Sequence, residues 1–318
     1  MSKRKYTRPI GLVDADMLIY LAGFATQRTH VSAVWYDYSD TPHHEVFSGK
    51  TAMKEWQLEH PEQLLVDIEE YVFAEPLEHT LAIVKNKMEE IEKRDRHLEV
   101  YIKGEGNFRD SVATLYPYKG NRTAAKPLAH DEIRRYLKER WGAKEVHGKE
   151  ADDQIAMRAR QIGYDKVLVC HADKDLDQIP GKHYNYQKNV YYEISQDEAI
   201  LFFYQQVLSG DPADNIKGCW KLGTGGALRI LHEVYDEWLD SFLPDEDLDY
   251  EMLEGMLWER VLYQYELSMG INGCPYAGMP VDAVALENAR LVWMQDESGR
   301  LWTPPDTDPI YMELGLDD

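Results

Sequence analysis

A chain of 318 residues can bury a sizeable core, as one large domain or two smaller ones. With 44% hydrophobic and 29% charged residues and no apolar run of membrane-spanning length, the composition is that of a soluble globular protein. The formal net charge of −22 excludes a broadly basic nucleic-acid coat, while leaving room for a local basic stripe beside an acidic metal site.

The basic start MSKRKYTRP leads into a run containing Asp14 and Asp16, which is not a signal peptide. PIGLVDADMLIYLAG predicts a buried strand, Ile10 to Val13, ending in Asp14, then a helix through Met17, Leu18 and Leu21. Residues 31–48, broken at Pro42, predict a β-hairpin. His43 and His44 lack partners at ligand spacing and read as exposed hairpin residues. Helices are expected at 51–59, 61–73 and 78–96; in the last, Leu81, Val84, Met88 and Ile91 recur at three and four. EVYIKG reads as a short strand.

GNFRDSVATLYPYKGNRTAAKP is the most basic segment after the N-terminus. Arg109, Lys119, Arg122 and Lys126 alternate with Phe108, Tyr116 and Tyr118, a pattern that suits phosphates and stacked bases. A loop with surface lysines is the plainer alternative. A helix at 130–140 leads into the stretch Glu150 to Pro180.

There, Ile155, Ala156, Ala159 and Ile162 form the core stripe of a helix from Asp152 to Ile162. Asp152 projects along that stripe, which is costly unless a cation meets it. KVLVC is the continuous apolar run of a strand covered on both faces. Asp173 and Asp175 follow its C-terminal end, where open α/β sheets place ligands. Acids at a helix start can simply cap it, and acidic loops can be solvated turns. Two such clusters in one α/β unit favour a hard divalent cation such as magnesium.

KHYNYQ and VYYEIS predict a second hairpin, and EAILFFYQQVLSG an apolar helix. Asp211 and Asp214 follow at a turn, then Gly218, Gly223, Gly225 and Gly226 before the helix ALRILHEV. Glycines ahead of a helix let backbone N–H groups approach a phosphate. Residues 241–318 predict an acidic loop, a helix at 250–269 and a mixed region whose Trp293 and Trp302 read as core. The cysteines, Cys170, Cys219 and Cys274, are odd in number and far apart, which fits a reducing cytoplasm; Cys170 reads as a buried small hydrophobe.

EADD at 150–153, ADKDLDQI at 172–179, and SGDPADNIKG running to LGTGGA at 209–227 occur in that order, with VDAD at 13–16 and YKGNR at 118–122 before them. Together they resemble the 5′ nucleases, the phage 5′→3′ exonucleases and flap endonucleases of the PIN-like superfamily. The resemblance spans Gly11 to Val234, with a poor fit between 25 and 100. It implies an α/β fold, a mostly parallel twisted sheet flanked by helices, over 8–240. That domain would carry an insertion at 25–100 and a helix–three-turn–helix DNA-binding element at about 203–234, with a helical C-terminal extension, 241–318, packed on the core.

The resemblance also implies a site. Asp14, Glu150, Asp152, Asp153, Asp173, Asp175, Asp211 and Asp214 would hold two magnesium or manganese ions. Lys119 would touch the scissile phosphate and Arg122 steer the strand. Arg109, Tyr118, Lys126, Gly218, Gly223, Gly225 and Gly226 would contact DNA, with a potassium ion at the helix–three-turn–helix. The implied activity is metal-dependent hydrolysis of DNA from duplex 5′ ends or 5′ flaps, in a phage or bacterial host cytoplasm, for replication, recombination or degradation.

Two departures matter. Where the family has an aspartate after its second strand, this chain reads KGEGNFR, so that Glu105 stands in, Asp16 compensates, or the ligand is absent. The segment between Lys119 and His130 is short for a helical arch, which favours a duplex exonuclease over an arch-threading flap endonuclease or an RNase H-type nuclease. A haloacid-dehalogenase-like phosphatase with Asp14 as nucleophile is the rival enzyme class. A non-catalytic DNA-structure-binding protein would have no use for eight such acids.

Overall fold

The computed structural model describes residues 9–94, 97–122, 125–243, 246–306 and 310–311. In chain order the strands are β1 (Ile10–Asp14), β2 (Gln27–Tyr36), β3 (Pro42–Phe47), β4 (Val66–Ala74), β5 (Leu98–Lys103), β6 (Lys144–Val146), β7 (Val167–His171), β8 (Gly181–Asn185), β9 (Val190–Ile194), β10 (Arg300–Leu301) and β11 (Ile310–Tyr311). The helices are α1 (Asp16–Ala25), α2 (Lys50–Glu59), α3 (Leu77–Arg94), α4 (Arg109–Val112), α5 (His130–Trp141), α6 (Ala151–Ile162), α7 (Gln196–Ser209), α8 (Thr224–Asp240), α9 (Tyr250–Met269) and α10 (Val281–Val292). The chain divides into two compact units, one of Met1–Asp16, Ile91–Ala124 and Gly142–Asp318, the other of Met17–Glu90 and Ala125–Trp141.

The first unit is a mixed α/β structure on a six-stranded sheet in the order β6-β5-β1-β7-β8-β9. Every pairing is parallel except the hairpin of β8 and β9. β7 is buried along its whole length and β1 along nearly all of it, which is why both read as unbroken apolar runs. From β1 the strand order first steps out to β5 and β6, then returns to β7 and β8 on the other side. The order therefore reverses beside β1, and β1 and β7 both end at that point. Ile155 and Ala159 of α6 pack with Leu12, Val167 and Val169 of the sheet.

A second core joins α7, α8, α9 and α10 around Tyr204, Trp238, Leu257, Tyr265 and Ala289. Trp302 is buried in it and Trp293 packs against it, so the tail contributes to this core as its aromatics predict. Its mixed region holds a full helix, α10, that the sequence does not announce. No helix among the described residues is long and apolar enough to cross a membrane.

The second unit contains an antiparallel sheet, β3-β2-β4, with Val31, Ala33, Phe47 and Leu65 at its core. The hairpin of β2 and β3 is the expected one, with His43 stacked on Trp35. The helix expected at 61–73 is instead the strand β4. Glu69 and Glu70 favour a helix locally, but the β-branched and aromatic Ile68, Tyr71, Val72 and Phe73 suit the ladder with β2, and pairing wins.

Candidate active site

The carboxylates come from four places in the first unit. Asp14 closes β1 and is 2% exposed. Its Oδ1 accepts the Asp16 N–H at 3.0 Å, and Asp16 Oδ2 accepts the Lys103 N–H at 2.8 Å, at the end of β5. Asp16 thus lies at the end of β5, whereas Glu105 is exposed. Asp173 follows β7 and accepts the Asp175 N–H at 3.0 Å, which fixes the turn between these two acids. Glu150 and Asp152 stand at the start of α6, and Asp211 and Asp214 in the loop after α7. Glu150, Asp152, Asp175, Asp211 and Asp214 line one small pocket of about 30 Å³, together with Tyr118 and Gln206.

Crowding marks these acids electrostatically. Burial, then Asp16, Asp173 and Glu150, push Asp14 well above the ordinary carboxylate range. Burial, then Asp14, Glu150 and Asp173, do the same to Asp152. Asp175 is pushed up to about 7 by burial, Asp173, Asp211 and Asp214. Asp173 contributes to the shift of all three. Glu150 is the exception. Burial opposes its charge, but Lys119, Arg109 and Lys103 outweigh that and hold its carboxyl well below the usual range.

The basic segment supplies Lys119 and Arg109, and the end of β5 supplies Lys103. Lys119 Nζ pairs with Glu150 and lies 3.4 Å from Asp214 Oδ2. Its φ of +53°, unusual for a residue with a Cβ, is held by its N–H bond of 2.9 Å to the Asp214 carbonyl. Tyr118 donates to Asp214 Oδ2 at 2.6 Å, and Arg122 to Asp214 Oδ1 at 2.6 Å. Asn121 and Asn215 add backbone contacts of 2.8 and 2.9 Å between the two loops. Lys126 is exposed and belongs to the second unit.

Three residues expected at the site have partners that point to a structural role. Arg109 is 5% exposed and Asp153 is 1% exposed, and they form a bidentate pair at 2.8 and 2.9 Å. The Asp153 carboxylate also accepts the N–H of Glu150 and of Gln295, both at 2.9 Å. Arg109 donates further to the carbonyls of Leu291 and Trp293. Both groups are committed to partners within the protein, so the pair reads as a buried brace rather than as a DNA contact and a metal ligand. The cost of an acid facing the core, expected for Asp152, is met one residue later in the helix. Gly218 is also misassigned as a phosphate contact: it is buried, and its N–H donates to Asn288 Oδ1 at 3.1 Å. Gly223 and Gly225 are exposed at the start of α8, whose first turn has no acid; Gly226 packs beside Leu222.

Several residues escape sequence reasoning. Lys103 Nζ reaches Glu150 at 2.9 Å, and Gln206 reaches Asp175 at 2.7 Å. Leu291 to Gln295 close over the Arg109–Asp153 pair, although nothing in the tail's pattern signals it. Beside the carboxylates, His171, Asp177 and His183 bring three donor atoms within 4.8 Å of one another. The spacing H-x₅-D-x₅-H around the acidic motif was the available sign.

No family model matches the sequence, and no curated protein matches it. Solved structures of bacteriophage T5 nucleases are similar to the chain. A T5 flap endonuclease in a pseudo-enzyme–product complex with DNA and metal ions is 19% identical, with a TM-score of 0.39, over 67% of this chain and 90% of that one. The T5 5′-exonuclease with zinc ions is 20% identical, with a TM-score of 0.40, over 67% and 91%. A lysine-to-alanine variant of that exonuclease is 14% identical, with a TM-score of 0.42, over 90% and 100%.

Proposed function

We propose that this chain is a divalent-metal-dependent phosphodiesterase that hydrolyses DNA from 5′ ends, as a 5′→3′ duplex exonuclease. One observation carries the reading most: a crowded carboxylate basin at the ends of β1 and β7, with Lys119, Tyr118 and Arg122 docked on its rim. Its donors are all carboxylate oxygens, the chemistry that magnesium or manganese takes. Asp14, Asp16, Asp152 and Asp173 would hold one ion, and Asp173, Asp175 and Asp211 the other. When bound there, such ions supply Lewis-acid polarisation of the phosphate and a more acidic water.

The chain's own residues do the rest. The buried carboxylates hold protons when no cation faces them, so ionising them for a metal is favoured by the metal's charge. Lys119, already held in an unusual backbone conformation, brings an ammonium to the rim, where it would hold a non-bridging phosphate oxygen. Arg122 would exchange Asp214 for a backbone phosphate of the strand. Free N–H groups at the exposed start of α8, by Gly223 and Gly225, would take a duplex phosphate, with the potassium ion that the sequence resemblance implies. The short link between Lys119 and α5 favours an exonuclease over arch threading.

The test is digestion of 5′-labelled blunt duplex and 5′-flap DNA with and without magnesium. Mononucleotides from the blunt end support the reading. A single flap oligomer makes the chain an endonuclease. No strand cleavage, or free phosphate alone, overturns it.

A further inference from the structure

β7 ends in His171, and its parallel neighbour β8 carries His183. Both side chains are wholly buried. One nitrogen of each is committed to a backbone carbonyl: His171 Nδ1 to that of Asp173, and His183 Nε2 to that of Ile179 at 2.7 Å. A carbonyl only accepts, so each of these nitrogens carries the ring proton. The remaining nitrogens, His171 Nε2 and His183 Nδ1, then present lone pairs, and they face each other at 3.0 Å. Tyr192 adds no relief. Its hydroxyl is 3.0 Å from the same His171 Nε2, but its single proton goes to Asp177 Oδ1 at 2.7 Å.

Two lone pairs, a phenol oxygen and a carboxylate therefore converge with a positive centre lacking between them. A single proton on one ring would bridge the two nitrogens but leave the phenol oxygen and the carboxylate without a cation of their own. A metal ion fits better. The donor atoms of His171, Asp177 and His183 lie within 4.8 Å of one another. Two nitrogens on one tetrahedral zinc sit about 3.3 Å apart, close to the separation found here. The two carbonyl bonds orient the rings as outer partners do at metal sites.

We propose that His171 Nε2, His183 Nδ1 and the Asp177 carboxylate, with the Tyr192 hydroxyl as fourth donor, bind a zinc-class transition-metal ion at a site separate from the carboxylate basin. Imidazole donors select such ions over magnesium. His171 and Asp177 bracket the loop that carries Asp173 and Asp175, so the ion clips this loop to β8 at both ends. Its role is to position the acids, and the site stands whether or not the basin cleaves DNA.

The full chain, stripped with a chelator and titrated with cobalt(II) alone, tests this. The expected result is one equivalent bound with the intense visible bands of a tetrahedral nitrogen–oxygen site. Zinc should displace it and excess magnesium should not. His183→Gln should abolish the bands, and Asp177→Asn should weaken zinc binding by about tenfold or more. Asp175→Asn should leave them in place. Absence of the bands from folded wild-type protein, their persistence in His183→Gln, or unchanged zinc affinity in Asp177→Asn overturns the proposal. So does nitrogen-15 NMR showing a proton on His171 Nε2 in zinc-treated protein. If His183→Gln does not fold, the Asp177→Asn affinity decides.

Discussion

Aspartates of two successive acidic motifs do opposite work, and replacement should separate them. Asp153 neutralises a buried guanidinium; Asp173 faces other acids. Asp153→Ala should strand Arg109 and destabilise the fold by about 3–5 kcal/mol. Asp173→Ala should abolish magnesium-dependent cleavage yet leave the metal-free melting temperature unchanged or raised, since one source of repulsion is gone. Thermal melts in chelator, paired with a cleavage assay, check both; a fully active Asp173→Ala protein would remove the metal basin. For Lys119, the expected result is that Lys119→Ala slows cleavage of bound DNA much more than it weakens binding. Single-turnover rates beside binding isotherms measure this, and equal losses would refute a transition-state role.

At the scale of elements, the loop from Gly210 to Gly218 places Asp211 and Asp214. Gly210 (φ +71°) and Gly218 (φ +63°) lie back to back, and a Cβ on either would run into the other's backbone or its neighbours'. Gly218→Ala should therefore cost about 2 kcal/mol or more. Gly225 has open space around it and ordinary helical geometry, so Gly225→Ala should be neutral or stabilising by up to about 1 kcal/mol. Denaturant midpoints compare the pair; similar losses for both would contradict the closed-loop role of Gly218. Four glycines that look equivalent in sequence thus divide into one that shapes a loop and others at a helix start.

For the whole molecule, pH and metal should act together. Asp14, Asp152 and Asp175 have raised folded values, so above about pH 4 the fold binds protons that unfolded aspartates have lost. Stability from these groups falls as pH rises through their folded values. His171 and His183 have lowered values, so their contribution rises with pH up to about 6.5 and then stops changing. The two trends oppose each other below about pH 6.5, where the histidine contribution stops changing, while Asp175, held up to about 7, is still losing its proton. Chelator-treated protein should therefore lose stability as pH rises towards about 7, where Asp175 gives up its proton, by up to about 1.4 kcal/mol per pH unit for that group. Asp175→Asn should flatten part of the slope, and millimolar magnesium should raise the melting temperature most at the upper end. A metal-free melting temperature that stays level or climbs over this range would contradict the crowded cluster.

What the sequence by itself determined is the local pattern: buried strands at VDAD and KVLVC, acids beyond their ends, helices with apolar stripes, and motif order enough to suggest phosphodiester chemistry. These depend on periodicity and on neighbours in the chain, which a single sequence carries. Only the tertiary structure decided which acid has a partner. Asp152 and Asp153 are consecutive, but Arg109 and Gln295 arrive from distant segments to claim the second. It decided too that Val66–Ala74 is a strand, because the partner ladder on β2 outweighs local preference. His171 and His183 likewise become a pair only across β7 and β8, where two carbonyls direct the ring lone pairs at each other. Contacts made by folding set charge, protonation and accessibility, and these separate a residue that binds from one that braces.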